Sequence, residues 1–112
     1  MTIYITQGHY TERAIKGMIV RPEDRMDAVR AMIELAGGKL LDYYVTFGDY
    51  DFLVISEADN DIDMASVVLT ATASGGVTDV KTSIALRTTD AMRAMEGAKT
   101  LMEGFRAAGE KA

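Results

Sequence analysis

Residues 46–55 decide the fold, and they read Thr46-Phe47-Gly48-Asp49-Tyr50-Asp51-Phe52-Leu53-Val54-Ile55. The pattern predicts the tip of a β-hairpin that leads into the most apolar strand of the chain. Gly48-Asp49 favours a two-residue turn, because glycine takes positive φ without a Cβ clash, and both residues are therefore assigned a structural role in the turn. Such a turn sets the register. The predicted pairs are Phe47 with Tyr50, Thr46 with Asp51, Val45 with Phe52, Tyr44 with Leu53 and Tyr43 with Val54.

Two more strands and two helices flank the hairpin. Periodicity predicts strands at 2–7, 39–47, 50–57 and 77–87. One helix is predicted from Pro22 to Gly37-Gly38, with an inward stripe of Met26, Val29, Ile33 and Ala36. A second helix, capped within 59–61, ends at Gly75-Gly76, with an inward stripe of Ala65, Val68, Leu69 and Thr72. Residues 8–21 are predicted to form a structured loop, and residues 88–106 a C-terminal helix.

This order of elements indicates an α+β fold of the ferredoxin-like, split βαβ type (βαββαβ). It has a four-stranded antiparallel sheet, two helices on one face and an additional C-terminal helix. At 112 residues, the whole chain 1–112 is expected to be a single domain with one modest core.

Strand parity divides the sheet into two sides, both of them apolar. The aliphatic side is expected to meet the helices, and it carries Ile3, Ile5, Leu53, Ile55, Val80, Ile84 and Leu86. The other side is expected to face away, and it carries Tyr4, Thr6, Tyr43, Val45, Phe47, Tyr50, Phe52 and Val54. A second apolar face of this size needs a cover. The simplest cover is another copy of the chain, which predicts a homodimer or higher oligomer resembling a dimeric α/β barrel, with the C-terminal helix as a candidate cover or arm.

Composition excludes several classes of function. The net charge of -5 disfavours nucleic acid as a partner. The absence of cysteine excludes disulfides and thiolate chemistry, so a cytoplasmic location is expected. No apolar run is long enough to span a membrane, and no membrane partner is expected.

Candidate catalytic residues are few. His9, the single histidine, lies just after the first strand and could act as acid, base or ligand; the alternative is an exposed or capping histidine. Asp51 could act as a base, although a carboxylate at that position is more simply a structural anchor that accepts hydrogen bonds from Thr46, a backbone amide or a helix start.

No metal or cofactor is expected. Asp59, Asp61 and Asp63 imitate the start of a calcium loop, but Met64 replaces its turn glycine and Thr70 its bidentate glutamate. Neither a Walker motif nor a dinucleotide glycine motif is present.

Gly48-Asp49-Tyr50-Asp51, with Gly37-Gly38-Lys39 upstream and the strand 52–55 behind it, resembles the GYD domain family of small bacterial proteins. The resemblance covers about residues 2–95. It implies a ferredoxin-like fold related to dimeric α/β barrels and implies no established activity. A similar Gly-Asp-Tyr-Asp hairpin occurs in the effector domains of Lrp-type regulators.

Two functions remain open. The first is a homo-oligomeric module that binds a small molecule or a protein, with a pocket between sheets lined by Tyr4, His9, Tyr43 and Tyr50. The alternative is a cofactor-independent enzyme of the dimeric α/β-barrel type, isomerase or monooxygenase-like, in which His9 or Asp51 moves a proton of a small aromatic or lactone-like substrate. Without a convincing acid-base pair, whether the protein is an enzyme stays open.

Overall fold

A computed structural model describes residues 1–111. Its elements, in chain order, are β1 (Thr2–Tyr10), α1 (Glu12–Val20), α2 (Met26–Leu35), β2 (Lys39–Val45), β3 (Phe52–Ala58), α3 (Asp61–Ala73), β4 (Val77–Ala85) and α4 (Thr88–Met102). The four strands form one antiparallel sheet in the order β2-β3-β1-β4. The predicted α+β, ferredoxin-like fold with a four-stranded antiparallel sheet is confirmed.

The hairpin has the predicted register but a longer loop. Val45 pairs with Phe52, Tyr44 with Leu53 and Tyr43 with Val54, and the backbone amide of Thr46 donates to the carbonyl of Asp51 at 2.8 Å. The strands end at Val45 and Phe52, so residues 46–51 form the connection in place of a two-residue turn. Gly48 lies in this connection without positive φ, and a Cβ there would meet nothing within 4 Å.

The segment 8–21 is not the structured loop that the sequence predicts. β1 continues to Tyr10, and α1 follows at once, with the hydroxyl of Thr11 accepting the amide of Ala14 at 3.2 Å as the N-cap. The next helix begins at Met26 instead of Pro22, because Asp24 accepts the amide of Met26 at 2.9 Å and so supports the first turn there.

The faces of β1 and β3 are the reverse of those predicted, whereas Val80 of β4 faces the helices as expected. The core between the sheet and helices α2 and α3 contains Tyr4, Leu40, Phe52, Val54 and Ala58 from the strands, together with Ile33, Met64 and Val67 from the helices. Tyr43 and Val80 pack against this core. Ring side chains can be buried here because the hydroxyl groups of the tyrosines find partners at the edges of the layer.

The opposite face, which we call the open face, lies on the side of the sheet away from α2 and α3. It carries Ile3, Ile5, Leu53 and Ile55, each half-buried by its sheet neighbours and absent from the core packed under the helices. Ile84 pairs with the buried Tyr4 and so lies on the helix side as expected, but it and Leu86 lie at the margin and are each 61% exposed. The aliphatic residues of β1 and β3 therefore supply the apolar surface without a helical cover.

The inward stripe of α3 is also shifted from the prediction. Met64 and Val67 are buried and Val68 packs against the core, whereas Leu69 is 68% exposed. The stripe of α2 is as predicted: Ile33 is buried, and its predicted companions pack against the core. Both helices stop at glycines of positive φ, Gly37 at 83° and Gly75 at 78°.

A β-bulge interrupts the pairing of β1 with β4. Gln7 pairs with Lys81 and His9 with Thr78, so two residues of β4 oppose Gly8 alone. One of the two, Asp79, has φ 51°, a left-handed conformation that is uncommon outside glycine. The bulge lets the carboxylate of Asp79 approach β1.

Helix α4 forms an arm that extends from the body of the protein. It spans 88–102, shorter than the predicted 88–106, and none of its residues is buried. Its apolar side chains include Met95 and Leu101, exposed by 68% and 74%. The radius of gyration is 18.5 Å and the longest extent 64 Å, whereas a compact chain of this length has a radius of gyration of about 13 Å. Within residues 1–111, no helix is long and apolar enough to cross a membrane.

Candidate functional site

The imidazole of His9 lies between two carboxylates at the end of the open face. Nδ1 is 3.5 Å from Oδ2 of Asp51, and Nε2 is 3.5 Å from Oδ2 of Asp79. The His9 and Asp51 side chains are each 35% exposed. Because His9 follows Gly8 on β1 and Gly8 pairs with Phe52, the strand register itself places His9 beside the end of the hairpin.

Asp51 is anchored by the backbone as well as by this contact. Its Oδ2 accepts the amide of Tyr10 at 2.9 Å, and its own amide donates to the carbonyl of Gly8 at 2.8 Å. The carboxylate thus has the backbone-amide partner that a structural anchor requires. The same oxygen faces His9, so the anchor also orients a carboxylate toward the imidazole.

Tyr50 and Lys81 complete the group. Nζ of Lys81 donates to the Tyr50 hydroxyl at 3.2 Å and lies 3.6 Å from Oδ1 of Asp79. The hydrogen bond with Tyr50, and then the charge of Asp79, raise the pKa of Lys81. The rings of His9 and Tyr50 are 5.5 Å apart between centroids. We call His9, Tyr50, Asp51, Asp79 and Lys81 the His9 cluster.

The other two predicted binding residues lie on the helix-covered side of the sheet. The hydroxyl of Tyr4 donates to Oδ1 of Asp61 at 2.5 Å, which raises the pKa of Tyr4. The hydroxyl of Tyr43 pairs with that of Tyr10 at 2.5 Å. Within one copy of the chain, the structure brings His9 and Tyr50 together and separates them from Tyr4 and Tyr43.

A second concave region lies on the helix side. Residues from α1, α2 and α3 and from the ends of the strands surround a groove of about 750 Å³, and Tyr10 and Tyr43 are among its lining. Arg21 and Arg25 also line it. No local sequence pattern indicates this groove, because it arises from the packing of segments that are distant in the sequence.

Sequence reasoning also missed Asp79 and Lys81. Their strand parity places both on the polar side of β4, which is the one signal that points to them. Their approach to His9 depends on the pairing of β1 with β4 and on the bulge, and neither is visible in a local pattern. Together the His9 cluster can offer two carboxylates to a cation, an ammonium to an anion, and an imidazole to a proton.

Known structures share the fold at low identity. FFRP-DM1 matches with a TM-score of 0.56 and 20% identity, covering 77% of this chain and 100% of that one. A transcriptional regulator from Neisseria meningitidis, solved as a complex with L-Met, matches with a TM-score of 0.56 and 19% identity over 77% of this chain and 50% of the regulator. TTHA0845 from Thermus thermophilus matches with a TM-score of 0.50 and 18% identity over 78% of this chain and 95% of that one. These likenesses establish the fold alone.

Family comparison is more specific. No curated protein matches the chain. The model of the GYD domain matches residues 4–95, which include the hairpin, the His9 cluster and the first turns of α4. The chain therefore belongs to the GYD domain family.

Proposed function

We propose that the protein is a homo-oligomeric module that binds a small molecule in a pocket between two sheets, with the His9 cluster as its polar rim. The observation that carries the proposal is the open face, whose aliphatic centre ends in five polar or ionisable side chains. Binding pockets commonly combine an apolar surface with a few convergent polar groups. One copy supplies half of such a pocket, and a second open face would close it.

Self-association is supported by the apolar surface that each copy leaves without a helical cover. Ile3, Ile5, Leu53 and Ile55 form one patch, and removing the remaining exposed part of each would contribute about 1 kcal/mol. Met95 and Leu101 add a second apolar surface on the arm. A two-fold contact would cover the same patch on both copies at once, because an isologous interface matches a surface with itself.

The charges of the His9 cluster favour a ligand that carries a cationic group and an anionic group. Asp51 and Asp79 offer acceptors to an ammonium, while Lys81 offers a donor to a carboxylate. The complex of the N. meningitidis regulator with L-Met agrees with a ligand of this kind. An amino acid is therefore the first class to test.

Two measurements test the proposal. Sedimentation equilibrium at micromolar concentration should give a mass of at least two copies. A thermal-shift screen of amino acids, followed by calorimetry on the best ligand, should show binding that Tyr50→Ala weakens at least tenfold. Leu35→Ala is the control, because Leu35 is 91% exposed at the end of α2, on the helix side of the sheet and away from the open face. A monomeric mass, or equal affinity in the Tyr50→Ala variant, would contradict the proposal.

A cofactor-independent enzyme is the second candidate, favoured by the position of His9 between two carboxylates at 3.5 Å each. A histidine held by a carboxylate on one nitrogen can move a proton with the other. Turnover of small aromatic or lactone-like substrates without added cofactor would support it. The double variant His9→Ala, Asp51→Asn should abolish that turnover. Activity equal to the parent's would show that neither residue is catalytic.

A further inference from the structure

The groove on the helix side is large enough for a ligand of its own. Its volume is about 750 Å³, within the range of roughly 300–1,000 Å³ that small-molecule pockets occupy. It lies on the opposite side of the sheet from the His9 cluster. A ligand in the groove would therefore contact none of the five cluster residues.

The wall formed by α1 is held in place at its start. The amide of Thr11 donates to the carbonyl of Gly76 at 3.0 Å, and its hydroxyl donates to the carbonyl of Gly75 at 2.8 Å. Nη2 of Arg13 donates to the carbonyl of Ser74 at 2.8 Å. These bonds tie α1 to the turn between α3 and β4, so the groove has a fixed wall although α1 buries no side chain of its own.

The lining of the groove has a net positive charge. Arg21, Glu23 and Arg25 are its charged members, two cations and one anion. Nη1 of Arg25 lies 2.8 Å from Oε1 of Glu23. Among the described residues 1–111, Arg21 forms no ion pair. Its guanidinium is thus available to a carboxylate, for which its planar donor geometry is suited.

The groove becomes apolar with depth. A smaller cavity of about 80 Å³ lies against the core, between the sheet and helices α2 and α3. The two cavities share six lining residues, namely Tyr10, Val29, Met32, Tyr43, Ala71 and Val77. The Tyr10 and Tyr43 hydroxyl groups pair with each other at 2.5 Å, which satisfies both groups within this largely apolar lining.

From this gradient we infer that the groove binds a small amphipathic anion, with its carboxylate at Arg21 and Arg25 and its apolar body against Met18, Val29 and Met32. Methionine side chains adapt to apolar ligands of different shape, because they are flexible and unbranched. The site is additional to the His9 cluster and takes a different class of ligand.

The charge requirement can be tested with three probes of one chain length. Calorimetry with octanoate, 1-octanol and octylammonium should give the highest affinity for octanoate and the lowest for octylammonium. Arg21→Gln with Arg25→Gln should weaken octanoate binding roughly tenfold or more, the value of lost charge-assisted hydrogen bonds, and leave 1-octanol unchanged. Arg30→Gln with Arg93→Gln is the control, since it removes the same charge from residues outside the groove lining. No octanoate binding, or equal losses in the two double variants, would overturn the inference.

The location can be tested by filling the groove. Ala28 lines it, and Ala31 is an exposed residue of the same helix outside the lining. Ala28→Trp should abolish octanoate binding, whereas Ala31→Trp should retain it, and far-ultraviolet circular dichroism should show that both are folded. Retained binding in Ala28→Trp would overturn the assignment.

Two further variants test whether the groove is independent of the His9 cluster and whether the arm of another copy occupies it. Tyr50→Ala should leave octanoate affinity unchanged, so failure of the proposed His9-cluster function would not affect this result. Leu101→Glu, on the arm, should also leave it unchanged. A tenfold rise in octanoate affinity in that variant would mean that the arm of another copy occupies the groove, and would overturn the small-molecule assignment.

Discussion

The carboxylate of Asp51 holds the end of β1 by accepting the backbone amide of Tyr10 at 2.9 Å. This bond joins a residue of the hairpin connection to a residue of the first strand that lies 41 positions away. The same oxygen lies 3.5 Å from His9. A stabilising contact and a candidate binding contact therefore share a single atom.

Replacing this carboxylate should destabilise the fold. Asp51→Ala removes a charge-assisted bond to a partly buried amide, and we expect a loss of about 1–2 kcal/mol in the free energy of unfolding. Urea denaturation measures the change. Asp49→Ala, in the exposed part of the same connection, should change stability by less than about 0.5 kcal/mol. Equal losses would mean that the Tyr10 bond contributes nothing.

Gly8 should be less tolerant of a side chain than Gly48. A Cβ at Gly8 would lie 2.9 Å from Cζ of Phe52 and 3.2 Å from the carbonyl oxygen of Thr78. We expect Gly8→Ala to cost about 1–3 kcal/mol, because the buried Phe52 ring must shift. Gly48→Ala, with nothing within 4 Å, should be nearly neutral in the same denaturation experiment. The reverse order would contradict the loop conformation of residues 46–51.

Stability should fall in alkaline solution. Burial, and then the hydrogen bond with Tyr43, raise the pKa of Tyr10 above its usual value of 10.0. Below pH 10 both states keep the proton. Above it the unfolded chain loses the proton first, so the free energy of unfolding decreases as pH rises.

Tyr10→Phe should remove part of this slope. We expect the urea midpoint to decline less steeply between pH 9 and pH 11.5 in the variant than in the parent. Loss of the hydrogen bond to Tyr43 lowers the midpoint of the variant by the same amount at every pH, so only the slopes are compared. Tyr44→Phe is the comparison, because the Tyr44 side chain is exposed and solvent screens its interactions. An unchanged slope in Tyr10→Phe would show that Tyr10 titrates alike in both states.

A charge on the open face should separate the copies. Ile5→Glu places a carboxylate in the centre of the aliphatic patch, where burial in an interface would cost several kcal/mol. We expect sedimentation equilibrium to give the monomer mass for this variant. Ile62→Glu is the control, since Ile62 is 79% exposed on α3 and away from the patch. Persistence of the oligomer in Ile5→Glu would place its interface elsewhere.

The hairpin register could be predicted because alternation and one turn signal suffice to pair adjacent strands. Val45 with Phe52 and Tyr43 with Val54 follow from that pattern. The side of the sheet that the helices cover could not be predicted from alternation, because both sides are apolar. A signal was nevertheless present, since Gln7 and Glu57 share parity with the aliphatic residues and would have been costly to bury under helices.

The candidate site was predictable in part, because local sequence patterns identify the elements that carry two of its residues. His9 and Asp51 lie at the ends of elements that the local pattern identifies, so their proximity follows once β1 pairs with β3. Asp79 reaches His9 through a bulge between strands far apart in the sequence. The groove depends on α1, a helix that the sequence pattern did not reveal because none of its residues is buried.

The extended arm has a consequence for how the molecule moves through solution. With a longest dimension of 64 Å and lateral dimensions of 29 and 22 Å, one copy has more frictional drag than a sphere of the same 12.2 kDa mass. It should leave a gel-filtration column early and imitate a heavier particle. Elution volume alone would therefore report a false dimer.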